Sequence, residues 1–509
     1  MAASEAISPA LGRQRDALAG WLKNCFSFPV LLAAILFAGA CVAAQTRFVD
    51  PDTWWHIHVG NLILSSGVWP THDLFSFSVP GAGWMAYEWL GEVVFALAWR
   101  AGGYVGLAAV DFLFAGTIAI LLYLYATLRS GKCKAACVAV SFFLPVLGAF
   151  FTLRPQLIGY VFLLATMILM ERFRQGLTKR LWVLPAIFLV WVNTHGTFVL
   201  GAVVVGVYLL SGLFKFQAGG IVAVQWTPEQ RRHLLIVMLL CMLVAPITPY
   251  GSRLAAYPLQ MAFMQPVNVA TILEWQPMSF RETLGKVFLV LMLAYFLMQV
   301  MLRVSYRLET LVLLIMAIFL TCLHVRFLLF FLFLFIPLIA EVLARWADAY
   351  KPEKDHRLLN AVVIALLAFG GMRYFSHPGD LAEAFTESYP VQAVAHLKQI
   401  SLDTPMFNFY GWGGYLIWSE MPRNSVFVDG RADLYEYGGV LADYVSISNL
   451  EPQTPFLLRK YGIGACLMPV QSPLVTYLSA SPDWRREYSD KTAVLFVRQT
   501  QIGARSFTR

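Results

Sequence analysis

Long apolar runs separated by short polar segments dominate the first three quarters of the chain. A helix that crosses a bilayer needs about 20 apolar residues, and the pattern predicts about eleven such helices. They lie at about 28–45, 104–127, 135–152, 156–171, 181–193, 196–213, 234–248, 286–302, 308–322, 327–344 and 358–373. The stretch 89–100 is short and amphipathic, which favours a helix lying in the membrane interface. The sequence therefore predicts a polytopic α-helical membrane protein.

The C-terminal quarter of the chain follows a different pattern. Residues 375–509 mix short β-like runs with helical ones, which is typical of a small α/β domain. The predicted strands are Ser425–Asp429, Ala465–Met468 and Ala493–Arg498. We therefore divide the chain into an N-terminal segment (1–27), a membrane domain (28–374) and a C-terminal domain (375–509). Residues 46–103 form a long first outer loop within the membrane domain.

The distribution of Lys and Arg predicts how the chain is oriented. If eleven crossings start from a cytoplasmic N-terminus, the cytoplasmic loops hold more than twice as many Lys and Arg residues as the outer loops, as the positive-inside rule requires. The first span follows a basic segment and lacks a small-residue cleavage site, which predicts a retained signal anchor. We expect a protein of a bacterial-type inner membrane with its C-terminal domain outside the cytoplasm.

Composition agrees with this class and excludes others. The chain is 59% hydrophobic and 13% charged, whereas soluble domains are about 25% charged. The net charge of +8 reports topology in such a protein, so we expect no nucleic-acid partner. Most of the seven cysteines lie in apolar runs, which predicts no disulfide framework, and Cys133 and Cys137 lack partner ligands for zinc. No Gly-rich phosphate loop is found.

Three carboxylates in the first outer loop are the predicted catalytic residues. Asp50 and Asp52 follow the first span directly, and Glu88 precedes the interfacial helix. A carboxylate at the interface loses part of its hydration, which raises its pKa and suits a general base. Two structural interpretations stay open. Asp50 is also suited to cap a helix that has Pro51 at its first position, and Glu88 to be a solvated helix start.

Two pairs of residues at outer span ends are predicted to bind the phosphate of an anionic lipid. Arg154 lies near Gln156, and Arg326 lies near His324. A guanidinium group binds phosphate through two parallel hydrogen bonds. The alternative is that these cations pair with lipid headgroups or with acidic residues of the loops.

Other polar and aromatic residues of the outer face are predicted to contact the substrate. They are Trp55, His56, His58, Asp73, Asn193, His195 and Glu274. Asp52 and His56 would share a helix face because they are four residues apart, with His58 pointing away. A structural histidine in the turn at His195 and an interfacial tryptophan at Trp55 are the competing interpretations.

A divalent metal is a further possibility at the first outer loop. Asp50, Asp52, His56 and His58 are hard or borderline ligands, but their spacing is not a specific signature. The sequence therefore requires no cofactor. In the C-terminal domain, Asp429, Arg431 and Asp433 follow a buried-looking strand, where sites gather in α/β folds. A turn held by an Asp–Arg pair explains this motif equally well.

The first outer loop resembles that of the GT-C superfamily, in particular its protein mannosyltransferase and aminoarabinose transferase branch. The resemblance rests on Asp52 after the first span, on Gly67, Pro70 and Asp73, and on Glu88 before Trp89 and Leu90. It is clear over about residues 28–130 and weak to about 345. Thr53 follows Asp52 where the family often has a second acid, so a pair of adjacent carboxylates is absent and Asp50 is the candidate substitute.

The resemblance implies a polytopic glycosyltransferase that takes a sugar from a polyprenyl phosphate. It implies that Asp52 removes a proton from an acceptor hydroxyl, that Arg154 and Arg326 stabilise the departing phosphate, and that the sugar configuration inverts. The expected partners are a polyprenyl-phosphate-linked sugar and membrane lipids. The sugar, and whether the acceptor is a glycan, a lipid or a protein, stay open.

Two other functions compete with glycosyl transfer. One is a non-catalytic transporter of lipid-linked glycans or a scaffold for envelope assembly. A transporter buries charges midway along its spans, and Asp111 is one of the few candidates. The other is a glycan polymerase or ligase, which would depend on Arg and His more than on Asp52.

Overall fold

The computed structural model describes residues 24–44, 50–302, 304–375, 377–400, 402, 404–419 and 426–499. Most of the N-terminal segment (1–23), the start of the first outer loop and Ser425 lie outside these residues. The predictions of a cytoplasmic N-terminus and a basic flank before the first span fall on that part of the chain.

Helices lie over all eleven apolar segments. In chain order, the helices of the membrane domain are α1 (Phe28–Ala44), α2 (Thr53–Ser66), α3 (Trp89–Ser130), α4 (Cys133–Gly148), α5 (Gln156–Arg174), α6 (Val183–Val192), α7 (Phe198–Ser211), α8 (Pro228–Val244), α9 (Ser252–Met264), α10 (Pro266–Thr271), α11 (Thr283–Leu302), α12 (Leu308–Leu323), α13 (Leu328–Leu343) and α14 (Arg357–Phe375). Three short strands, β1 (Phe216–Ala218), β2 (Ile221–Ala223) and β3 (Tyr306–Arg307), form a small sheet at one end of the bundle.

Among the described residues, four helical segments are long and apolar enough to cross a membrane. They are α3, α5, α11 and Val325–Leu343, in which a short 3₁₀ turn (Val325–Phe327) continues into α13. Helix α11 exposes large apolar side chains, including Val290, Phe296 and Met301, as expected of a surface that meets lipid. The protein is therefore an integral membrane protein, and the full set of eleven crossings stays a prediction.

A glycine kink divides α3 into two parts. Gly102 and Gly103 have non-helical backbone angles, and Gly103 adopts a positive φ of 53°. Just beyond the kink, a Cβ on Gly106 would lie 2.0 Å from the carbonyl oxygen of Ala98, so only glycine fits there. The segment that begins at Trp89 is thus set off from the long helix after the kink, at the position where the sequence predicts an interfacial helix.

The C-terminal segment is a mixed sheet with helices around it. The sheet order is β4 (Met406–Asn408), β5 (Ala465–Pro469), β7 (Ala493–Arg498) and β6 (Trp484–Ser489), with β4 parallel to β5 and the other pairs antiparallel. The helices are α15 (Pro378–Thr386), α16 (Val391–Gln399), α17 (Gly413–Trp418), α18 (Ala432–Tyr437), α19 (Val440–Ser448), α20 (Thr454–Lys460) and α21 (Pro473–Ala480).

Two of the three predicted strands are confirmed, as β5 and β7. The third, Ser425–Asp429, is wrong over its described part, because Val426 makes only an isolated bridge to Ser76 of the first outer loop. The apolar run Val426–Val428 is therefore buried because it packs against the first outer loop.

The C-terminal segment packs directly on the first outer loop. A Cβ on Gly414 of α17 would lie 2.5 Å from the carbonyl oxygen of Pro51, which shows how closely the two backbones approach. The ring of Trp54 in α2 lies 5.5 Å from that of Tyr415 and 4.5 Å from that of Trp418. The residues around Asp52 are therefore covered by the C-terminal segment.

Candidate functional site

Asp50 and Asp52 lie immediately before α2 and are held by its first turn. The helix begins at Thr53 with Asp52 in the capping position, and the Asp52 side chain makes no capping hydrogen bond. Asp50 Oδ1 instead accepts a hydrogen bond of 2.9 Å from the backbone N–H of Asp52. The Asp50 side chain therefore caps the turn through Pro51 that leads into α2, as the capping interpretation predicts, and the Asp52 carboxylate is left for other partners.

Arg154 is the centre of a carboxylate cluster. Its Nε lies 2.5 Å from Asp50 Oδ2, and its Nη2 lies 3.0 Å from Asp52 Oδ2. Its Nη1 donates to Glu274. Three carboxylates thus surround a guanidinium that the sequence assigned to a donor phosphate. Arg154 therefore pairs with acidic residues of the loops, as the alternative interpretation of this residue predicts, and not with a donor phosphate.

The other predicted phosphate ligands differ in whether their polar atoms are already bound to other residues. The guanidinium of Arg326 stacks over the Trp275 ring at 4.0 Å, and no described carboxylate lies within 4.0 Å of it. His324 donates from Nδ1 to the Trp275 carbonyl oxygen at 2.6 Å, and Gln156 is bonded to the Tyr160 hydroxyl. Among these three residues, Arg326 is therefore the one whose guanidinium has no carboxylate partner among the described residues. His324 and Gln156 form hydrogen bonds to nearby residues.

Glu88 joins two histidines beside this cluster. Its Oε1 lies 3.2 Å from Nε2 of His195, and its Oε2 lies 3.5 Å from Nε2 of His56. The Nδ1 of His56 lies 3.4 Å from Oε1 of the fully buried Glu92. His56 is thus held between two glutamates, away from the metal arrangement with Asp50 and Asp52 that the sequence offered.

The backbone fixes which nitrogen of His195 holds the proton. The N–H of Thr197 donates to His195 Nδ1 at 3.0 Å, so the neutral ring carries its proton on Nε2 and donates it to Glu88. Burial, together with the charges of Arg326 and Arg154, lowers the pKa of His195 to about 3. His195 is therefore a neutral hydrogen-bond donor to Glu88.

Burial shifts the carboxylates of the site toward neutral pH. It raises the pKa of Asp52 to about 7, against the opposing effect of Arg154 and with the help of Asp50. It raises the pKa of Glu88 to about 8, with the charge of Asp52 adding to the shift. By contrast, Arg154 lowers the pKa of Glu274. Burial thus brings the pKa values of Asp52 and Glu88 near neutrality, the range that suits general acid–base groups.

The C-terminal segment closes over Asp52. A Cβ on Gly430 would lie 1.7 Å from Asp52 Oδ1 and 3.0 Å from Trp55 Nε1, and Tyr410 donates its hydroxyl to the Gly430 carbonyl at 3.3 Å. Trp55 is buried and donates from Nε1 to Asp52 at 3.2 Å. Trp55 therefore positions the carboxylate and does not offer its face to a sugar.

The Asp–Arg motif of the C-terminal segment has a structural role. Arg431 binds Asp429 through Nε and Nη2 and binds Asp73 through Nη1, at 2.7–2.8 Å, and all three side chains are fully buried. Asp73 also accepts hydrogen bonds from the backbone and hydroxyl of Ser76. The prediction that Asp73 binds substrate is therefore wrong.

Asp433 differs from its two neighbours in the motif. Burial raises its pKa, and its charge in turn raises the pKa of Glu88.

Asn193 and His58 make different contacts. Asn193 accepts a hydrogen bond from Trp89 Nε1 at 2.8 Å and donates to the carbonyl oxygens of Leu189 and Ile247, so its side chain is engaged in the structure and the substrate-binding assignment is corrected. The His58 ring packs edge-on against Phe75 at 5.2 Å, and its assignment to the substrate stays a prediction.

Within the described ranges, no group of three or more His, Cys, Asp or Glu residues is arranged to hold a metal ion. Asp111 is fully buried midway along α3, and neither of its carboxylate oxygens has a hydrogen-bond partner among the described residues.

Some residues of the site had no sequence signal. Trp275 supports Arg326, Thr197 orients His195, and Gly430 covers Asp52. Each acts on a partner far away in the chain or through its backbone, so neither residue type nor spacing marks it.

Comparisons with known proteins give a fold and no family. No family model and no curated protein sequence matches the chain. The archaeal oligosaccharyltransferase AglB from Archaeoglobus fulgidus, in complex with an inhibitory peptide and a dolichol-phosphate, is similar with a TM-score of 0.51 and 14% identity. That match covers 88% of this chain and 70% of AglB.

Two structures of ArnT from Cupriavidus metallidurans were also found. ArnT bound to undecaprenyl phosphate has a TM-score of 0.46 and 13% identity, covering 92% of this chain and 97% of ArnT. Apo ArnT has a TM-score of 0.45 and 15% identity, covering 94% and 98%. The likeness to AglB supports the predicted GT-C-like fold.

Proposed function

We propose that the protein transfers a sugar from a polyprenyl-phosphate donor to an acceptor hydroxyl. The observation that carries the proposal is the position of Asp52, a carboxylate that is 17% exposed and lies beside Arg154 and beneath Gly430 of the C-terminal segment. Its pKa of about 7 suits a general base at neutral pH. Support also comes from the fold shared with AglB, an oligosaccharyltransferase solved with a dolichol-phosphate.

The proposed reaction is a single displacement. Asp52 takes the proton of the acceptor hydroxyl while the acceptor oxygen forms a bond to the anomeric carbon of the sugar. The bond between that carbon and the phosphate oxygen breaks, and the electron pair leaves with the polyprenyl phosphate. The configuration of the sugar inverts because the acceptor attacks from the opposite side.

The structure changes the roles that we assign to the two arginines. Arg326 has no described carboxylate partner and is supported by Trp275, so it is the proposed ligand of the departing phosphate. Arg154 holds Asp50, Asp52 and Glu274 together. Its proposed role is to position Asp52 and to lower the pKa of this carboxylate, with Asp50 as a second partner of the guanidinium.

Glu88 is the proposed second proton-exchanging group. It lies within reach of His195 and His56, and its pKa is close to that of Asp52. We further propose that this end of the bundle, with the C-terminal segment, faces away from the cytoplasm.

Mass spectrometry of lipids that co-purify in native nanodiscs tests the proposal. The samples are the wild type, Asp52→Asn, Arg326→Gln and, as a matched control on the surface of the C-terminal segment, Arg485→Gln. We expect a polyprenyl phosphate or its sugar ester in the wild type, in Asp52→Asn and in the control, and a loss of at least about tenfold in Arg326→Gln. Bulk phospholipid alone in all four samples would favour the scaffold interpretation.

An activity assay separates the enzyme from the other candidates. With the lipid identified, transfer to an acceptor should be lost in Asp52→Asn while the donor stays bound. Full activity of Asp52→Asn would contradict the proposed base and favour a polymerase or ligase that depends on Arg and His.

A further inference from the structure

Several helices that reach the candidate site converge again at their other ends. Glu88 precedes α3, Arg154 lies just before α5, and Arg326 lies between α12 and α13. Charged residues at the opposite ends form a second cluster, which we call the far-end cluster: Arg129, Glu171, Arg174, Arg307, Glu309 and Glu341. Helix α5 has 19 residues, and a helix rises 1.5 Å per residue, so about 30 Å separates the two clusters.

The far-end cluster is balanced in charge. Arg129 Nε lies 2.7 Å from Glu341, Arg307 Nη2 lies 2.8 Å from Glu171, and Arg174 Nε lies 2.8 Å from Glu309. The side chains of Glu171 and Glu309 are almost fully buried. Buried carboxylates are tolerated when each has a cation and hydrogen bonds, so these pairs account for the stability of the cluster.

A cavity of about 550 Å³ opens beside this cluster. The residues that line it are Arg129, Ser130, Val222, Val224, Ser305, Tyr306, Arg307 and Glu341. Its volume falls within the range of about 300–1,000 Å³ that is usual for small-molecule sites. The ion pairs of the far-end cluster could form without a cavity beside them, so the cavity is a separate feature of this end of the bundle.

The walls of the cavity are rich in hydrogen-bond donors. Its described lining contains two guanidinium groups, three hydroxyl groups and one carboxylate, Glu341, which is already paired with Arg129. Arg307 is 27% exposed, and the only hydrogen bond of its guanidinium to a described residue is from Nη2 to Glu171. The other N–H groups of this guanidinium are therefore available to an acceptor.

We propose that this far-end cavity binds the phosphate group of an anionic ligand. A guanidinium with unused donors matches the geometry of phosphate oxygens, and the neighbouring hydroxyls add further donors. The phosphate can belong to a small soluble ligand or to the headgroup of an anionic lipid. The inference does not depend on the proposed glycosyl transfer, because none of its residues belongs to the candidate site.

Binding experiments with the full chain in nanodiscs test this proposal. In one arm, radiolabelled inorganic phosphate is titrated into protein in purely zwitterionic lipid. In the other arm, native mass spectrometry counts the lipids retained from nanodiscs that contain phosphatidylglycerol. We expect saturable binding in at least one arm, weakened at least about tenfold in Arg307→Gln. Arg345→Gln is the matched control, because Arg345 is exposed and bonds only the Leu302 carbonyl.

Two further variants distinguish a lost binding site from a misfolded protein. Arg307→Lys keeps the charge beside Glu171 but loses the planar fork, so we expect weakened binding in a folded protein. Glu341→Gln removes the one carboxylate of the lining, so we expect tighter phosphate binding. Binding in the phosphate arm identifies a soluble ligand, and binding in the lipid arm alone identifies a headgroup. No saturable binding in either arm, or equal binding by Arg307→Gln and the control, would overturn the proposal.

Discussion

Nη1 of Arg431 lies 2.7 Å from Oδ1 of Asp73, although the two residues are 358 positions apart in the chain. The bond joins the C-terminal segment to the first outer loop and has no solvent on either side. The same guanidinium also lies 5.0 Å from the Phe75 ring and 4.7 Å from the Trp84 ring. One arginine thus fixes the cover of the candidate site to the loop that carries Asp52.

Replacing Arg431 should destabilise the protein strongly. Arg431→Met leaves the buried carboxylates of Asp73 and Asp429 without a cation, and breaking a buried pair in this way costs about 3–5 kcal/mol. Arg485→Met is the matched control, because Arg485 is half exposed and pairs with Glu487 at the surface, where such pairs contribute less than about 1 kcal/mol. Thermal unfolding in nanodiscs should show a much larger loss for Arg431→Met, and equal losses would contradict the structural role of the motif.

Gly430→Ala should impair activity more than stability. The added Cβ would lie 1.7 Å from Asp52 Oδ1, so the carboxylate must move, and a displacement of about 1 Å can cost about 10²-fold in rate. Gly83→Ala is the control in the first outer loop, because a Cβ there meets nothing within 4 Å. Transfer rates and melting temperatures of both variants check the prediction. An unimpaired rate in Gly430→Ala would show that Asp52 need not keep its position.

The positions of the helices could be predicted because their signal is local. Hydrophobic runs of a given length predict helices wherever they occur, and the glycine pair at 102–103 explains why the short stretch before it is set apart from the long helix. The strands β5 and β7 can also be predicted from the sequence, because each is a short apolar run between turns. β4 has only three residues and β6 is largely exposed on one side, so neither gives a clear pattern.

The partners within the site could not be predicted because they come from distant parts of the chain. Arg154 was correctly placed among polar residues, but its pairing with Asp50, Asp52 and Glu274 depends on how α5 and the segment after α10 meet the first outer loop. The same holds for Asp73, whose partner Arg431 lies in the C-terminal segment. The residue types identify the groups that carry charge, and the packing of distant segments determines which of these groups form ion pairs.

The rate of transfer should rise with pH around neutrality. Asp52 acts as a base only when it is ionised. Because its pKa is about 7, the transfer rate should rise most steeply near pH 7, and we call this part of the profile the ascending limb. The charge of Glu274 raises this pKa, so Glu274→Gln should move the limb to lower pH. Glu487→Gln, on the surface of the C-terminal segment, should leave it unchanged. Profiles of kcat measured between pH 5 and 9 check this, and a limb that does not move would assign it to another group.

Glu88 should make the protein less stable as the pH rises. Burial raises its pKa from the ordinary value of 4.5 to about 8, so between these values the folded protein holds a proton that the unfolded chain has released. The contribution of Glu88 to the free energy of unfolding is then complete below pH 4.5 and is lost up to pH 8, by at most about 1.4 kcal/mol per pH unit. Glu88→Gln keeps a neutral side chain at every pH and should lose less stability between pH 5 and pH 8 than the wild type. The exposed Glu353→Gln should behave like the wild type, because its carboxylate is in water in both states. Unfolding at the two pH values measures the difference, and identical losses in all three proteins would mean that Glu88 is ionised in the folded state and held by His56 and His195 as an ion pair.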